Sequence, residues 1–489
     1  MAYKAPGRLT RRRPLPAYHV PNWTVRGKEV RLPSAFEKCQ GQRHRYAQVK
    51  GERGTRIQAK AHLHGPEAVE YRTMELYDVI VVGAGPGGAA TAAYLARSGL
   101  KILLLDKFEF PRDKTCGDAL SPSALSILDN LGLTDDLRNA GYRVEGVSIT
   151  SPEGKTVRAP IPVHPVYPSH GYVVPRLVLD DLILRCGLRA GVQFHGSTHV
   201  LGIERDRAGV TVVAETGGSQ RRFTARLVVL AVGANVRLLQ TLGLTPRRMG
   251  YAHAVRAYFE GVSGLSRSLE IRFDRAQLPG YGWIFPLSSD SANVGAGLLP
   301  RRGRKTPGAS ALLAQFLSDP GLGPRFQTAH RVGPVKGFPI RTDFQQSRVF
   351  SDRLVIVGEA AGLVNPFTGE GIDYALESAQ LASAYLVECF KREDLSFEAL
   401  RGYERALRRR FQHVFVFSHW MRRQYMNPFL LDPLIRACER WPELTDLIVR
   451  TLLTYADPAE AIRPAVLLKV LRCLPSARSP RTPNLPATN

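Results

Sequence analysis

One short stretch constrains this 489-residue chain more than any other. Residues 77–82 form an apolar run rich in β-branched residues. Gly83-Ala84-Gly85-Pro86-Gly87-Gly88 follows at once, then an alanine-rich segment, 89–98, that Gly99 stops. A short apolar run of that kind reads as a buried parallel strand. The alanine-rich segment reads as a helix. In such a unit Gly83 permits the tight turn, Gly85 lets the backbone approach a pyrophosphate, and Gly88 lets the helix pack on the strand. The first N–H groups of the helix have no partner within it and carry its positive dipole end, so they suit phosphates. A second strand, 101–105, ends at Asp106, 18 residues after Gly88, where a carboxylate accepts bonds from ribose hydroxyls. The unit is that of a dinucleotide site in an α/β fold.

A second glycine-lined turn lies about 280 residues further on. Residues 354–357 read as a strand ending at Gly358. The loop holds Glu359, Gly362, Asn365-Pro366, Gly369 and Gly371, and 372–385 reads as a helix starting at Ile372. A strand–helix crossover without a ligand would account for this pattern. A long cofactor gripped at two places accounts for both patterns together, and FAD is the expected one. The first motif would hold the adenine end. The second would bring N–H groups and a helix dipole to the ribityl chain and flavin ring, where positive potential favours the anionic reduced form.

Charge needs placing before it is interpreted. The net charge of +24 suggests nucleic acid or an anionic membrane. Residues 1–75 carry 16 Lys and Arg against 6 Asp and Glu, residues 391–489 carry 17 against 10, and the 315 residues between carry 34 against 27. The excess therefore sits at the ends. The first 75 residues, with Arg11-Arg12-Arg13 and no sustained period, read as a solvated, disordered leader. No apolar run there makes a secretory signal. Met74 stands directly before the first strand, and translation is expected to start there. No run reaches the ~18–20 apolar residues of a membrane span. Cys39, Cys116, Cys186, Cys389, Cys438 and Cys473 are widely spaced, which indicates neither a disulfide framework nor a metal site and fits a reducing cytoplasm.

Four segments together resemble the geranylgeranyl reductase family, within the p-hydroxybenzoate-hydroxylase-like flavoproteins. They are the 83–88 turn, Phe110-Pro111-Arg112-Asp113-Lys114-Thr115-Cys116-Gly117-Asp118, Pro279-Gly280-Tyr281-Gly282-Trp283-Ile284-Phe285-Pro286, and the 358–371 loop. Within the family the chain is most similar to bacterial reductases of isoprenoid quinone tails and prenyl lipids. The resemblance implies an FAD-dependent oxidoreductase that reduces carbon–carbon double bonds of an isoprenoid. It implies that Cys116 lies beside the flavin and assists proton delivery or controls the site. Gly117 and Asp118 would follow the flavin edge, Arg176 would lie near FAD, and Val200 would meet the adenine. Lys107 and Arg112 join the cofactor-binding set. Arg112 and Lys114 flank Cys116, and such cations lower a partly exposed thiol towards thiolate.

In 281–285 the strand period places Tyr281, Trp283 and Phe285 on one face, a wall suited either to a long alkene chain or to the protein's own core. Two departures from the family pattern stand out. An Asp-Gly pair expected after 227–230 is replaced by Ala231-Val232-Gly233-Ala234-Asn235, which puts direct reduction by NAD(P)H in question. The usual Gly-Asp of the later motif is Gly358-Glu359, its carboxylate one methylene further out.

The expected architecture is a discontinuous Rossmann-like FAD-binding domain (76–150, 172–245, 346–395), a β-rich substrate domain (151–171, 246–345), a C-terminal helical region (396–474) and a tail (475–489). Basic residues beside Phe411, Phe415, Phe417, Trp420 and Met421, and a helix over 464–474, suit an anionic membrane surface. A cytoplasmic enzyme, peripheral on the inner face of the membrane, is expected, without a nucleic-acid partner. The electron donor stays open between NAD(P)H and a ferredoxin-like protein. An FAD monooxygenase or halogenase is the alternative; 281–286 partly resembles the Trp-x-Trp-x-Ile-Pro segment of flavin halogenases.

Overall fold

In the computed structural model the placement is described for residues 75–474, apart from 207–208, 247–248, 275–278, 300–306, 426–427, 454 and 456–457. The expected leader with its Met74 start, and the tail, lie outside the described residues.

Strand β1 (Leu76–Val82) is central, because its residues 79–82 are almost wholly excluded from water on both faces. It pairs in parallel with β2 (Ile102–Leu105) on one side and with Ser219–Leu230 on the other. Gln193–His195 and Leu354–Ile356 extend the parallel set, and an antiparallel hairpin, Thr198–Arg205 with Val210–Thr216, attaches to Ser219–Leu230. The chain leaves β1 towards β2 and returns on its other side. This reversal opens a crevice at the carboxyl ends of the strands, the usual ligand position in open α/β sheets. Helices α1 (Pro86–Arg97), α2 (Arg176–Arg189) and α3 (Ile372–Lys391) pack together over the sheet. α3 runs six residues past the expected end, its buried stripe continuing through Leu386, Cys389 and Phe390.

A second, seven-stranded sheet runs in the order His330–Arg341, Tyr251–Glu260, Ser291–Leu298, Gly280–Pro286, Ser268–Arg272, Gly146–Thr150, Thr156–Pro160. Residues 146–150, assigned from sequence to the nucleotide domain, belong here. They pair in parallel with Ser268–Arg272, a partner far along the chain that local pattern does not reveal. One face of this sheet carries the helix Ala309–Leu317. Gly282 is required there, since a Cβ on it would stand 2.1 Å from the Phe316 ring.

The C-terminal helices correct a second expectation. In α4 (Phe397–Tyr425), Leu400, Tyr403, Leu407, Phe411 and Phe415 pack into the core of the first sheet, and the Tyr403 hydroxyl donates to the Ile356 carbonyl at 2.8 Å. Phe411, Phe415 and Met421 are therefore interior and not part of a membrane-facing surface. Arg408 pairs with Glu404 and Arg410 with Glu377, so part of the basic stripe is neutralised. Helices α5 (Pro428–Arg440), α6 (Pro442–Leu452) and α7 (Pro464–Leu471) close over the far end of the second sheet, with Leu431, Leu434, Ile435 and Leu444 against Val147, Ile149 and Phe273. α7 stops three residues short of the expected 474. Among the described residues no helix is long and apolar enough to cross a membrane.

Candidate functional site

A single cavity of about 1090 Å³ runs from the crevice above β1, past the second sheet, to the C-terminal helices. That exceeds the ~300–1,000 Å³ of a site for one drug-sized ligand. It is lined by Gly83, Gly85, Asp106, Lys107, Arg112, Cys116, Gly117, Asp118, Arg176, Val200, Tyr281, Trp283, Gly358, Glu359, Gly369, Gly371 and Ile372. Of the catalytic and cofactor-binding residues assigned from sequence, Gly88 alone is off the wall. A Cβ there would lie 1.8 Å from the Gly83 carbonyl oxygen, so its place is the contact between helix and turn.

At the nucleotide end, α1 begins at Gly85 with no side chain capping it. A Cβ on Gly85 would lie 3.4 Å from one Arg112 nitrogen and 4.0 Å from one of Arg176. Two guanidiniums thus stand over a helix start whose N–H groups face outward, an arrangement for a diphosphate. Arg176 is 5% exposed. It is held bidentately by Asp180 at 2.6 and 2.7 Å, and Arg112 reaches the same carboxylate at 3.2 Å. The Arg112 Nε is buried without a partner. Asp106 accepts from the Ala84 N–H at 2.7 Å and the Phe108 N–H at 2.9 Å. Its first task is to hold the turn, and each oxygen keeps a lone pair for a ribose. Val200 lies beside Thr198 and His199 on the same wall.

The loop carrying Cys116 is gripped from the second sheet. Asn293, fully buried, accepts from the Trp283 indole N–H at 3.0 Å and donates to the Cys116 carbonyl and to Asp118 Oδ2, both at 2.8 Å. A Cβ on Gly117 would stand 2.9 Å from the Phe285 ring. Asp118 sits at φ +65° and also accepts from the Tyr258 hydroxyl at 2.7 Å. Burial pushes its carboxyl up to about 6 despite these donors. Asp113 joins Lys336 at 2.6 Å and the buried Arg256. Burial acts to raise its carboxyl, and the two cations outweigh that and hold it low. Cys116 differs from the expected thiolate. Burial raises its thiol, and the opposing pull of Arg176 and Lys114 does not reverse this.

The second motif faces the first. Gly358 (φ +62°) and Gly369 (φ +73°) take conformations that glycine adopts without strain. α3 begins at Gly371 with no side-chain cap, and a Cβ on Gly87 of α1 would lie 3.3 Å from the Ala375 carbonyl, so two uncapped helix starts share the crevice. Glu359 is already engaged. It takes Lys114 at 2.9 Å through one oxygen and the Arg341 N–H at 3.2 Å through the other. The added methylene lets it clasp the Cys116 loop across the cavity.

Tyr281, Trp283 and Phe285 share one face, with neighbouring ring centroids 6.1 and 6.2 Å apart, and all three line the cavity. The Trp283 ring lies across Gly295, where a Cβ would be 2.2 Å away. Beyond this wall the lining is apolar: Phe273, Ile271, Phe417, Leu434, Ile435 and Leu452. Sequence reading missed Asn293, Tyr258 and Asp180 as members of the site, and it missed the C-terminal helices as its far wall. An Asn within the apolar strand 291–298 was the one available signal.

The sequence pattern described as FAD binding domain matches residues 76–307. A menaquinone reductase of Mycobacterium tuberculosis is 35% identical over 325 residues, 63% of this chain and 76% of that protein. A digeranylgeranylglycerophospholipid reductase of Methanocaldococcus jannaschii is 28% identical over 378 residues, 76% and 92% of the two chains. A geranylgeranyl bacteriochlorophyll reductase-like structure from Thermoplasma acidophilum matches with TM-score 0.68 at 22% identity, covering 82% of this chain and 100% of that one. A flavin-dependent brominase matches with TM-score 0.65 at 21% identity, covering 81% and 100%. These two likenesses speak for the fold alone. The cofactor is FAD, and the diphosphate cradle, the paired helix starts and the length of the cavity fit it.

Proposed function

The chain belongs to the geranylgeranyl reductase family of FAD-dependent oxidoreductases, and we propose that it saturates carbon–carbon double bonds in the isoprenoid chain of a lipid or quinone. The observation that carries this reading is the continuity of the cavity. The dinucleotide cradle, the aromatic wall and an apolar tunnel form one space. In this reading Gly85, Gly87, Arg112 and Arg176 hold the diphosphate, and Val200 borders the adenine. Gly369, Gly371 and Ile372 present the start of α3 to the ring. When bound and reduced, FAD supplies hydride. Tyr281 and Trp283 orient the alkene against that face. The tunnel residues exclude water and keep an unactivated bond aligned, where alignment alone is worth several kcal/mol. Relatives named as reductases of menaquinone and of a geranylgeranylated phospholipid support the substrate class.

A lipid substrate also suits a peripheral position in the cytoplasm. α7 exposes Leu467, Leu468 and Leu471 beside Arg472, and it packs on α5, which lines the tunnel through Leu431, Leu434 and Ile435. These exposed leucines, rather than the buried Phe411 and Phe415 of α4, are the proposed membrane contact. Nucleic acid has no place in this reading. The donor that reduces FAD stays open between NAD(P)H and a ferredoxin-like protein.

The test is anaerobic. FAD-loaded protein, reduced with dithionite, is mixed with menaquinone or a geranylgeranylated phospholipid. After any quinol has been re-oxidised to quinone, products are read by mass spectrometry for a gain of two hydrogens per alkene bond. Turnover without oxygen is expected. Product formed only when oxygen is admitted would support the monooxygenase or halogenase alternative instead.

A further inference from the structure

Two carboxyl groups at the foot of α3 take no part in holding the cofactor. Glu370 lies between Gly369 and Gly371 and lines the cavity, half-buried. Its position is fixed through the backbone, since its carbonyl accepts from the Asn365 N–H at 2.8 Å and its N–H donates to the Thr368 hydroxyl at 3.3 Å. Asp373, in the first turn of α3, is 8% exposed, and its Oδ1 is buried with no N–H or O–H donor in reach. Glu370 and Asp373 stand three residues apart at the helix start and act electrostatically on each other. Two buried carboxylates this close in the chain repel each other, which favours a proton on one of them.

The same corner of the wall carries two other proton-bearing groups. Tyr281 donates its hydroxyl to the Thr368 carbonyl, next to Gly369, and both Glu370 and Cys116 act electrostatically on it. We propose that Glu370 and Asp373 hold one shared proton at the cavity wall and deliver it to the alkene carbon that does not receive hydride. This rests on the alkene-reduction reading above. The step balances. The π bond is spent, and one C–H bond forms with the hydride pair and one with the proton. The reduced cofactor loses two electrons, and the carboxyl pair goes from one proton to none until solvent restores it. The uncapped start of α3 stabilises the resulting double negative charge.

Chemistry selects this pair over its neighbours. A proton donor works best with a pKa near the working pH. Burial pushes Glu370 up to about 7 and Asp373 well above the usual range. Burial also raises the Tyr281 hydroxyl and the Cys116 thiol, which hold their protons too tightly at neutral pH. The groups facing the pair are the Ser121 hydroxyl, which acts on Glu370, and the Tyr374 N–H, which acts on Asp373. Glu377, held by Arg410, lies along α3, and the Tyr281 and Tyr455 hydroxyls lie across the gap.

The experiment follows oxidation of the reduced flavin in one anaerobic turnover, with menaquinol and a geranylgeranylated phospholipid as probes, between pH 5.5 and 9. In the wild type the rate is expected to fall as pH rises through the range where the pair loses its shared proton, which burial and mutual repulsion place well above the ordinary carboxylate range. Glu370→Gln is expected to slow the step by ~100-fold or more and to abolish the fall, with FAD affinity unchanged. If that variant fails to hold FAD, Asp373→Asn reads the same loss from the other partner. A variant rate within threefold of wild type with the same pH profile overturns the proposal, as does disappearance of the fall in Tyr281→Phe alone. If the wild type reduces neither probe, the alkene-reduction reading fails and this assignment with it. If the wild type turns over and the variants match it, the carboxyl pair alone is refuted.

Discussion

Replacing Asn293 by Ala tests the idea that the flavin-facing loop is held from the substrate sheet. The side chain makes three hydrogen bonds: from the Trp283 indole at 3.0 Å, to the Cys116 carbonyl at 2.8 Å, and to Asp118 Oδ2 at 2.8 Å. Two are neutral, at ~1 kcal/mol each, and the third meets a carboxylate, at ~1.5–3 kcal/mol. The substitution leaves the indole and the loop carbonyl unpaired in a fully buried place, so the loss of stability is expected at ~3–5 kcal/mol. A pH signature accompanies it. The Asp118 carboxyl is raised by burial to about 6 in the folded protein. An acid with a raised folded pKa favours the folded state at low pH, so stability of the apoprotein falls as pH rises from about 4 through 6. Without the Asn293 donor the folded pKa rises further, and the fall continues above pH 6. Guanidinium unfolding of the apoprotein and the FAD-loaded protein from pH 4.5 to 8 measures both effects. A loss below ~1 kcal/mol, with an unchanged pH profile, would refute the argument that this amide ties loop to sheet.

Four further outcomes are expected. The Lys114–Glu359 pair, 2.9 Å apart and largely buried, should show ~1–2 kcal/mol of coupling in FAD affinity when Lys114→Met and Glu359→Gln are combined in a cycle read by calorimetry; additivity would mean no clasp. Arg112→Ala should weaken FAD ~10–100-fold and flatten the salt dependence of binding, because one of two cations over the diphosphate is gone. Gly282→Ala puts a methyl 2.1 Å from the Phe316 ring and should cost ~1–3 kcal/mol in thermal unfolding while FAD affinity holds. Leu434→Trp, which narrows the apolar end, should lower kcat/KM more than ~10-fold for a geranylgeranyl chain and little for a geranyl one; equal losses would place the chain elsewhere.

How much of the site was legible depended on how local its cause is. Gly83, Gly85, Gly88 and Asp106 act within one strand–turn–helix unit, so their spacing alone identifies a dinucleotide cradle. The aromatic face of 281–285 follows from a period of two. Arg176 drew notice only through resemblance, and Arg112 also as a cation beside Cys116. Their joint stance over Gly85 depends on Asp180, one turn along α2, and on the docking of that helix against α1. Cys116 shows how a local reading misleads. Flanking cations in sequence suggest a thiolate, whereas burial under the second sheet decides the proton.

By itself, the sequence determined the nucleotide fold, the cofactor class and the family, because glycine conformations, helix starts and strand periods are fixed by residues within a few positions of one another. Only the tertiary structure decided what meets across the cavity. It paired residues 146–150 with a strand more than a hundred residues later. It buried Phe411 and Phe415 that a local reading left at a surface, and it turned the C-terminal helices into a tunnel wall. It also brought Asn293, Glu359 and the Glu370–Asp373 pair to their partners. The physical reason is that desolvation and long-range hydrogen bonding depend on which surfaces pack together, and packing is a property of the whole chain.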